Sequence, residues 1–158
     1  MYMYLHKNKK GFTLIELMVV VAIIGILALL GLRLYSSQQR RAKESMVKAN
    51  AGSVQVTIQT ELVDKTVSEV DTLLGNPSGD FATDINQLQN PFTGGTGIVT
   101  SVSATDGAVV KETGYHQNNG TDGADGFVGV YLSGSEFLIY GYGDGGTLIP
   151  DYELSAKK

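Results

Sequence analysis

The stretch Lys9-Lys10-Gly11-Phe12-Thr13-Leu14-Ile15-Glu16-Leu17, with the apolar run that continues from it to Leu32, decides how this chain is read. From Phe12 to Leu32 the only charged side chain is that of Glu16. At a rise of about 1.5 Å per residue, a helix over this run is roughly 30 Å long, the hydrocarbon thickness of a bilayer. It can span a membrane. Glu16 is the anomaly, because a carboxylate near the middle of a bilayer costs about 2.5–3.5 kcal/mol and calls for a partner or an interfacial position. It lies one turn from Phe12, with Lys7, Lys9 and Lys10 just before. A secretory signal has the same basic start and oily run but closes on a small-residue cleavage site before the mature domain. Here Arg33 follows Gly31-Leu32 and the helical pattern carries on.

Gly11-Phe12-Thr13-Leu14-Ile15-Glu16, behind a short basic leader and ahead of a long apolar run, resembles the processing site of type IV pilins and of the pseudopilins of type II secretion. The resemblance covers about a fifth of the chain, and its residues come in one fixed order. It implies cleavage between Gly11 and Phe12 by a membrane prepilin peptidase and N-methylation of Phe12. It further implies passage through an inner-membrane assembly platform into a homo-oligomeric helical filament. The fold implied is α+β: a long N-terminal helix, half transmembrane and half amphipathic, packed on a small antiparallel sheet of about four strands.

Physical chemistry makes sense of the motif. Cleavage after Gly11 creates an ammonium on Phe12, and methylation keeps its charge. In a core of packed apolar helices, Glu16 of one subunit neutralises the Phe12 terminus of a neighbour, so the two charges fix register when docked correctly. The rival arrangement pairs Glu16 with Phe12 of its own chain, where the carboxylate complements its own helix N-terminus.

Two departures from the resembled family stand out. Many pilins carry a proline about ten residues beyond the equivalent of Glu16; here Gly25, Gly31 and Gly52 are the only breakers. A helical glycine costs about 1 kcal/mol relative to alanine, so Gly25 to Gly31 is expected to be the weak point that unwinds when the helix leaves lipid. The same glycines could instead let neighbouring helices approach closely. Many pilins also staple their C-terminal loop with a disulfide, whereas this chain has no cysteine. Its absence excludes thiolate zinc sites and cysteine nucleophiles as well.

The 158 residues suffice for one domain once leader and apolar helix are set aside. Residues 1–11 are read as a cleaved leader, 12–32 as the transmembrane and filament-core helix, 33–74 as an amphipathic helix, and 75–158 as a globular head of loop and sheet. Beyond the leader the chain holds nine basic and 16 acidic residues, about −7, which argues against nucleic acid as a primary partner. The leader lysines place the N-terminus in the cytoplasm, although Arg33, Arg40, Arg41 and Lys43 crowd the far end.

From Thr13 to about Val63 there is no proline. Leu34, Ala42, Met46, Ala49 or Asn50, Val54, Ile58 and Leu62 recur at three- and four-residue spacing, the apolar stripe expected to face the head. The alternative is two helices hinged near Gly31. The helix or a short successor continues through Val67, Val70, Leu73 and Leu74 to a stop at Gly75-Asn76-Pro77. Sixteen of the 20 glycines follow Leu74, so the second half is expected to be turns and strands, with residues 75–97 a long loop. Ile98 to Ser103 and Ala108 to Glu112 flank Ala104-Thr105-Asp106-Gly107, a hairpin signal; Phe127 to Leu132 and Glu136 to Tyr142 flank Ser133-Gly134-Ser135, a second. Thr147 to Ile149 would add a short edge strand ended by Pro150, giving an antiparallel meander of four or five strands under the helix.

Few residues outside the motif suggest chemistry. Asn118 to Gly126 is rich in oxygen ligands, and Asp122 and Asp125 are the weak candidates for calcium, but the spacing does not match a helix-loop-helix calcium site and plain turns read the same way. No cofactor is expected. His116 is the only histidine beyond the leader and has no catalytic signature around it, so the chain is not read as an enzyme. Tyr131, Tyr140, Tyr142 and Tyr152 gather in the last strands and tail, where strand packing is the first explanation and an interface the second. Asn119-Gly120-Thr121 is a weak glycosylation pattern.

The resemblance then implies a structural subunit, a major pilin, held in the cytoplasmic membrane with its N-terminus inside and moving to a surface pilus used for adhesion, twitching motility or DNA uptake. The competing functions are the major pseudopilin of a type II secretion system and a membrane-anchored binding module that never polymerises.

Overall fold

The computed structural model describes residues 11–76, 80–99, 107–115 and 125–158. The leader, Pro77, the predicted turn at 104–106, His116, Asp122 and the Asn119 sequon lie outside them. Two compact units divide the chain, one ending at Gln38 and the other running from Gln39 to Lys158.

A single helix, α1, runs Leu14–Asp64, uninterrupted at Gly25 or Gly31. Thr13 starts it: the Glu16 N–H donates to the Thr13 hydroxyl at 3.3 Å and the Leu17 N–H to the Thr13 carbonyl at 3.2 Å. In the first unit every α1 residue is solvent-exposed, and most of its side chains are large and apolar. In the second unit α1 buries Val47, Ala51, Val54, Ile58 and Leu62. The expected stripe therefore needs correction at its start. Val47 and Ala51 point inward, while Met46 and Ala49 are exposed, a rotation of about 100° per residue shifted.

Helix α2, Val67–Leu74, is the short successor anticipated, separated by a break at Lys65-Thr66. Thr66 and Glu69 form a capping box in which the Glu69 carboxylate accepts the Thr66 N–H at 2.7 Å and the Thr66 hydroxyl accepts the Glu69 N–H at 3.3 Å. The loop expected over 75–97 contains a further one-and-a-half-turn helix, α3, Asp80–Ile85, fixed by burial of Phe81, Ala82 and Ile85.

The sheet has five strands in the order β1 (Ile98–Val99), β2 (Val109–Glu112), β3 (Val128–Ser133), β4 (Glu136–Tyr142) and β5 (Leu148–Lys157). It is mixed, not wholly antiparallel. The second predicted hairpin forms, with Ser133 opposite Glu136 and Gly134 at positive φ in the tight turn. The first does not: β1 and β2 run parallel, Ile98 opposite Val109, and β2 runs parallel to β3. The Gly97 carbonyl accepts the N–H groups of both Ala108 and Val109, so β1 and β2 start from the same edge. Val109 joins the core on the helix side and Val110 a second cluster with Phe127, Tyr140 and Tyr142. A strand buried on both faces is the usual habit of parallel pairing, and it outweighs the turn signal at Asp106-Gly107.

β5 is ten residues long, where a three-residue edge strand was expected. It passes through Pro150 because the ladder to β4 breaks there: Tyr142 lies opposite Leu148 and Tyr140 opposite Glu153, leaving four residues bulged, with Asp151 at φ 56°. On an edge strand the missing proline N–H breaks no bond.

With no disulfide, buried polar groups tie the last third of the chain together. Asn90 is wholly buried; its amide donates to the carbonyls of Asp125 (2.8 Å) and Gly107 (3.3 Å), and its oxygen accepts the N–H groups of Phe92 (2.9 Å) and Thr93 (3.2 Å). Gly126, at φ 76°, is pressed against Asn90 and Phe92, where a side chain would collide. Across the sheet Glu112 is buried and accepts the hydroxyls of Tyr140 and Tyr142, the latter at 2.7 Å.

Candidate functional site

The site is the start of α1. Phe12 precedes the Thr13 cap and is 83% exposed, and Glu16 occupies the third helical position, one turn on. Thr13-x-x-Glu16 thus has the spacing of a capping box, with the Thr13 half formed. Glu16 belongs to the first turn, at the positive end of the helix, where the first four N–H groups lack intrahelical carbonyl partners. Among the described residues no ion pair reaches Glu16. Thr13 was missed in reading the sequence as a participant, although the capping pattern was there to be seen.

From Leu14 to Leu34, Glu16 and Arg33 apart, the helix presents apolar side chains on all sides, the large ones from Leu14 at 77% to Val20 at 48% exposed. A helix hydrophobic all round is at home in lipid or among other such helices, not in water. α1 is long and apolar enough to cross a membrane. Space around the glycines is free: nothing lies within 4 Å of where a side-chain carbon on Gly25 or Gly31 would stand.

Of the remaining candidates, Asp122 lies outside the described residues. Asp125 contributes its carbonyl to Asn90, and no cluster of three metal-ligating side chains occurs among the described residues. Tyr140 and Tyr142 are buried, the packing role that the sequence favoured. Tyr152 is half-buried, donates to the Lys48 carbonyl at 2.6 Å and has the Lys48 ammonium 5.2 Å from its ring centre; burial raises its pKa. Tyr115 donates to Glu153 at 2.5 Å, and that bond raises the phenol's pKa. Arg40 pairs with Glu44 (3.6 Å) and Asp144 (3.8 Å), and Lys43 lies 5.0 Å from the Phe92 ring centre, so part of the basic cluster beyond Leu32 is engaged with the globular unit.

A capped, membrane-length apolar helix that continues as the spine of a helix-on-sheet unit defines a class, and this chain belongs to the type IV pilin family. Residues 6–32 match the family described as the prokaryotic N-terminal methylation motif. Fimbrial protein EcpC of Eikenella corrodens is 34% identical over 113 residues, 70% of this chain and 68% of the relative. The type IV major fimbrial protein FimA of Dichelobacter nodosus is 35% identical over 106 residues, 65% of this chain and 62% of the relative. Fimbrial protein Q of Moraxella bovis is 30% identical over 106 residues, 67% of this chain and 65% of the relative. The match to this FimA spans 62% of its length, and matches to two other FimA proteins span 36% and 35% of theirs. No solved structure matches the chain.

Proposed function

We propose that this chain is a structural subunit, a major pilin, of a type IV pilus. The observation that carries the reading is the apolar helix from Leu14 to Leu34, exposed on every side and led by Phe12 and Glu16. In the membrane lipid covers it; outside, other copies of the same helix must. Cleavage between Gly11 and Phe12 by the prepilin peptidase and methylation of Phe12 supply the charged terminus, and Glu16 of an adjacent subunit is its partner on leaving lipid. Gly25 and Gly31 are the positions where α1 yields during that transfer. The unassembled subunit is a single-pass protein of the cytoplasmic membrane, N-terminus inside, handed to an assembly platform and then exposed in a surface fibre. That the relatives are fimbrial proteins by name favours a pilus over a secretion pseudopilus and over an enzyme.

The reading needs no cofactor. A melting scan with calcium and then chelator tests Asp122 and Asp125: a transition that moves under both would add a metal to it.

Electron microscopy of cells lacking the chain, complemented with wild type or with Glu16→Val alone, tests the whole. Long fibres restored by wild type and absent with Glu16→Val are expected. Normal fibres from a pool containing only Glu16→Val would overturn the role of Glu16. Fibres that never reach beyond the envelope would favour the secretion pseudopilus.

A further inference from the structure

Hydrolysis of the bond between Gly11 and Phe12 needs the Gly11 carbonyl to be free, because water must add to that carbon before the C–N bond breaks and Phe12 leaves with its amine. A carbonyl inside a helix is already bonded to the N–H four residues on and is hemmed in by the next turn. Where α1 begins therefore decides whether the bond can be cut. Among the described residues no backbone hydrogen bond involves Gly11 or Phe12. Phe12 is exposed, and nothing lies within 4 Å of where a side-chain carbon on Gly11 would stand. The bond stands outside the helix, immediately ahead of Thr13.

That boundary has a competitor. Nothing in Phe12 forbids helix, and glycine is a tolerable cap residue. A helix begun two residues earlier would take Gly11 as its cap, and the Gly11 carbonyl would then accept the Ile15 N–H, the first bond of the helix. Thr13 selects against that register. Its hydroxyl accepts the Glu16 N–H at 3.3 Å and its carbonyl the Leu17 N–H at 3.2 Å, the two bonds of a cap residue. A cap residue keeps a non-helical backbone, so while Thr13 caps, Gly11 and Phe12 stay outside. Among the described residues the Ile15 N–H has no backbone partner, as this register requires.

We propose that Thr13 is a positioning residue for leader removal: by capping α1, its hydroxyl fixes the helix register that leaves the Gly11 carbonyl free for the peptidase. The inference rests on the processing reading above and adds to it a residue beyond Gly11, Phe12 and Glu16. Capping and shape give opposite expectations. If register is what matters, any side chain that caps as well as threonine serves, whatever its outline, and valine, threonine's isostere without a hydroxyl, does not. When the helix end opens and closes faster than the bond is cut, the rate follows the population with a free carbonyl.

The test follows cleavage of the full chain by the prepilin peptidase in detergent, with intact mass reading the loss of residues 1–11. Thr13→Ser and Thr13→Asn should be cut at the wild-type rate. Thr13→Val and Thr13→Ala should be cut about two- to fivefold more slowly, the factor by which a lost cap shifts such a balance. Thr13→Val cut at the wild-type rate, or Thr13→Asn as slow as Thr13→Val, would overturn the proposal. Amide hydrogen exchange of the uncut chain gives a second readout, one that direct recognition of the hydroxyl by the peptidase would not move. Exchange at Ile15 should slow in Thr13→Val and stay as in wild type in Thr13→Asn. Slow cutting of Thr13→Val with Ile15 exchange unchanged would assign the hydroxyl to the peptidase's own contacts and overturn the cap. A wild-type chain that the peptidase never cuts would sink the processing reading itself, and this proposal with it.

Discussion

Residues 14–34 and 47–62 belong to one helix, yet different surroundings account for each. The first region, Glu16 and Arg33 apart, is apolar and is exposed on every side. The second places Val47, Ala51, Val54, Ile58 and Leu62 in the core and would gain little from lipid. Secondary structure alone therefore says nothing about stability here; what covers the side chains does. For 47–62 the cover is the sheet of the same chain. For 14–34 the described residues supply none, and under the proposed function it comes first from lipid and then from other copies of the chain.

Substitution separates the two regions most sharply. Ile58→Ala should cost the globular unit about 2–5 kcal/mol, as large-to-small changes in a packed core do. Leu27→Ala, in the exposed run, should leave the same transition unmoved. Thermal melting of the full chain in detergent, followed by the near-ultraviolet signal of its tyrosines, reads both. A shift with Leu27→Ala equal to that of Ile58→Ala would erase the distinction.

Next in size is Asn90→Ala, which removes a buried side chain making four hydrogen bonds and leaves two N–H groups and two carbonyls short of a partner. A loss of about 2–4 kcal/mol is expected, given 1–3 kcal/mol for each buried group left unsatisfied and partial rescue by water. An unchanged midpoint in urea would show that the last third of the chain is held by apolar packing alone.

Smaller still is the capping box of α2. Thr66→Ala should lower stability by about 1 kcal/mol. Its partner Glu69 has a lowered pKa, first because of the backbone N–H of Thr66 and then because of the Thr66 hydroxyl. A carboxylate with a lower pKa in the folded state binds protons less readily than in the unfolded chain, so it stabilises above the ordinary glutamate range. That contribution fades as pH falls through the folded value. Melting temperatures of wild type and Glu69→Gln should therefore converge on acidification, and a gap that stayed constant down to strongly acidic pH would remove Glu69 from the account.

The first region was far more legible than the second. Phe12, Glu16 and the uncharged run are local facts, and helix was expected as far as Leu74, where α2 ends after the break at Lys65-Thr66. The hairpin of β3 and β4 was equally plain, because a glycine turn separates two strands that pair in sequence. What escaped was non-local. Met46 and Val47 are both apolar, and Ala49 competes with Ala51, so periodicity could not choose between rotations of the helix that carry an inward and an outward apolar face. Parallel pairing of β1 with β2 is a choice of partner and direction that a turn signal cannot reveal. The roles of Asn90 and Glu112 come from partners as far as 35 and 30 residues away, a distance over which an isolated Asn or Glu reads only as polar.

The central claim is that the apolar run, freed at Phe12, leaves lipid only by packing against copies of itself. Intact mass spectrometry of fibres sheared from the cell surface tests it most directly. The account predicts a subunit that begins at Phe12 and carries one added methyl group. Fibres free of this chain, with the polypeptide present only in the membrane fraction and still bearing residues 1–11, would contradict it.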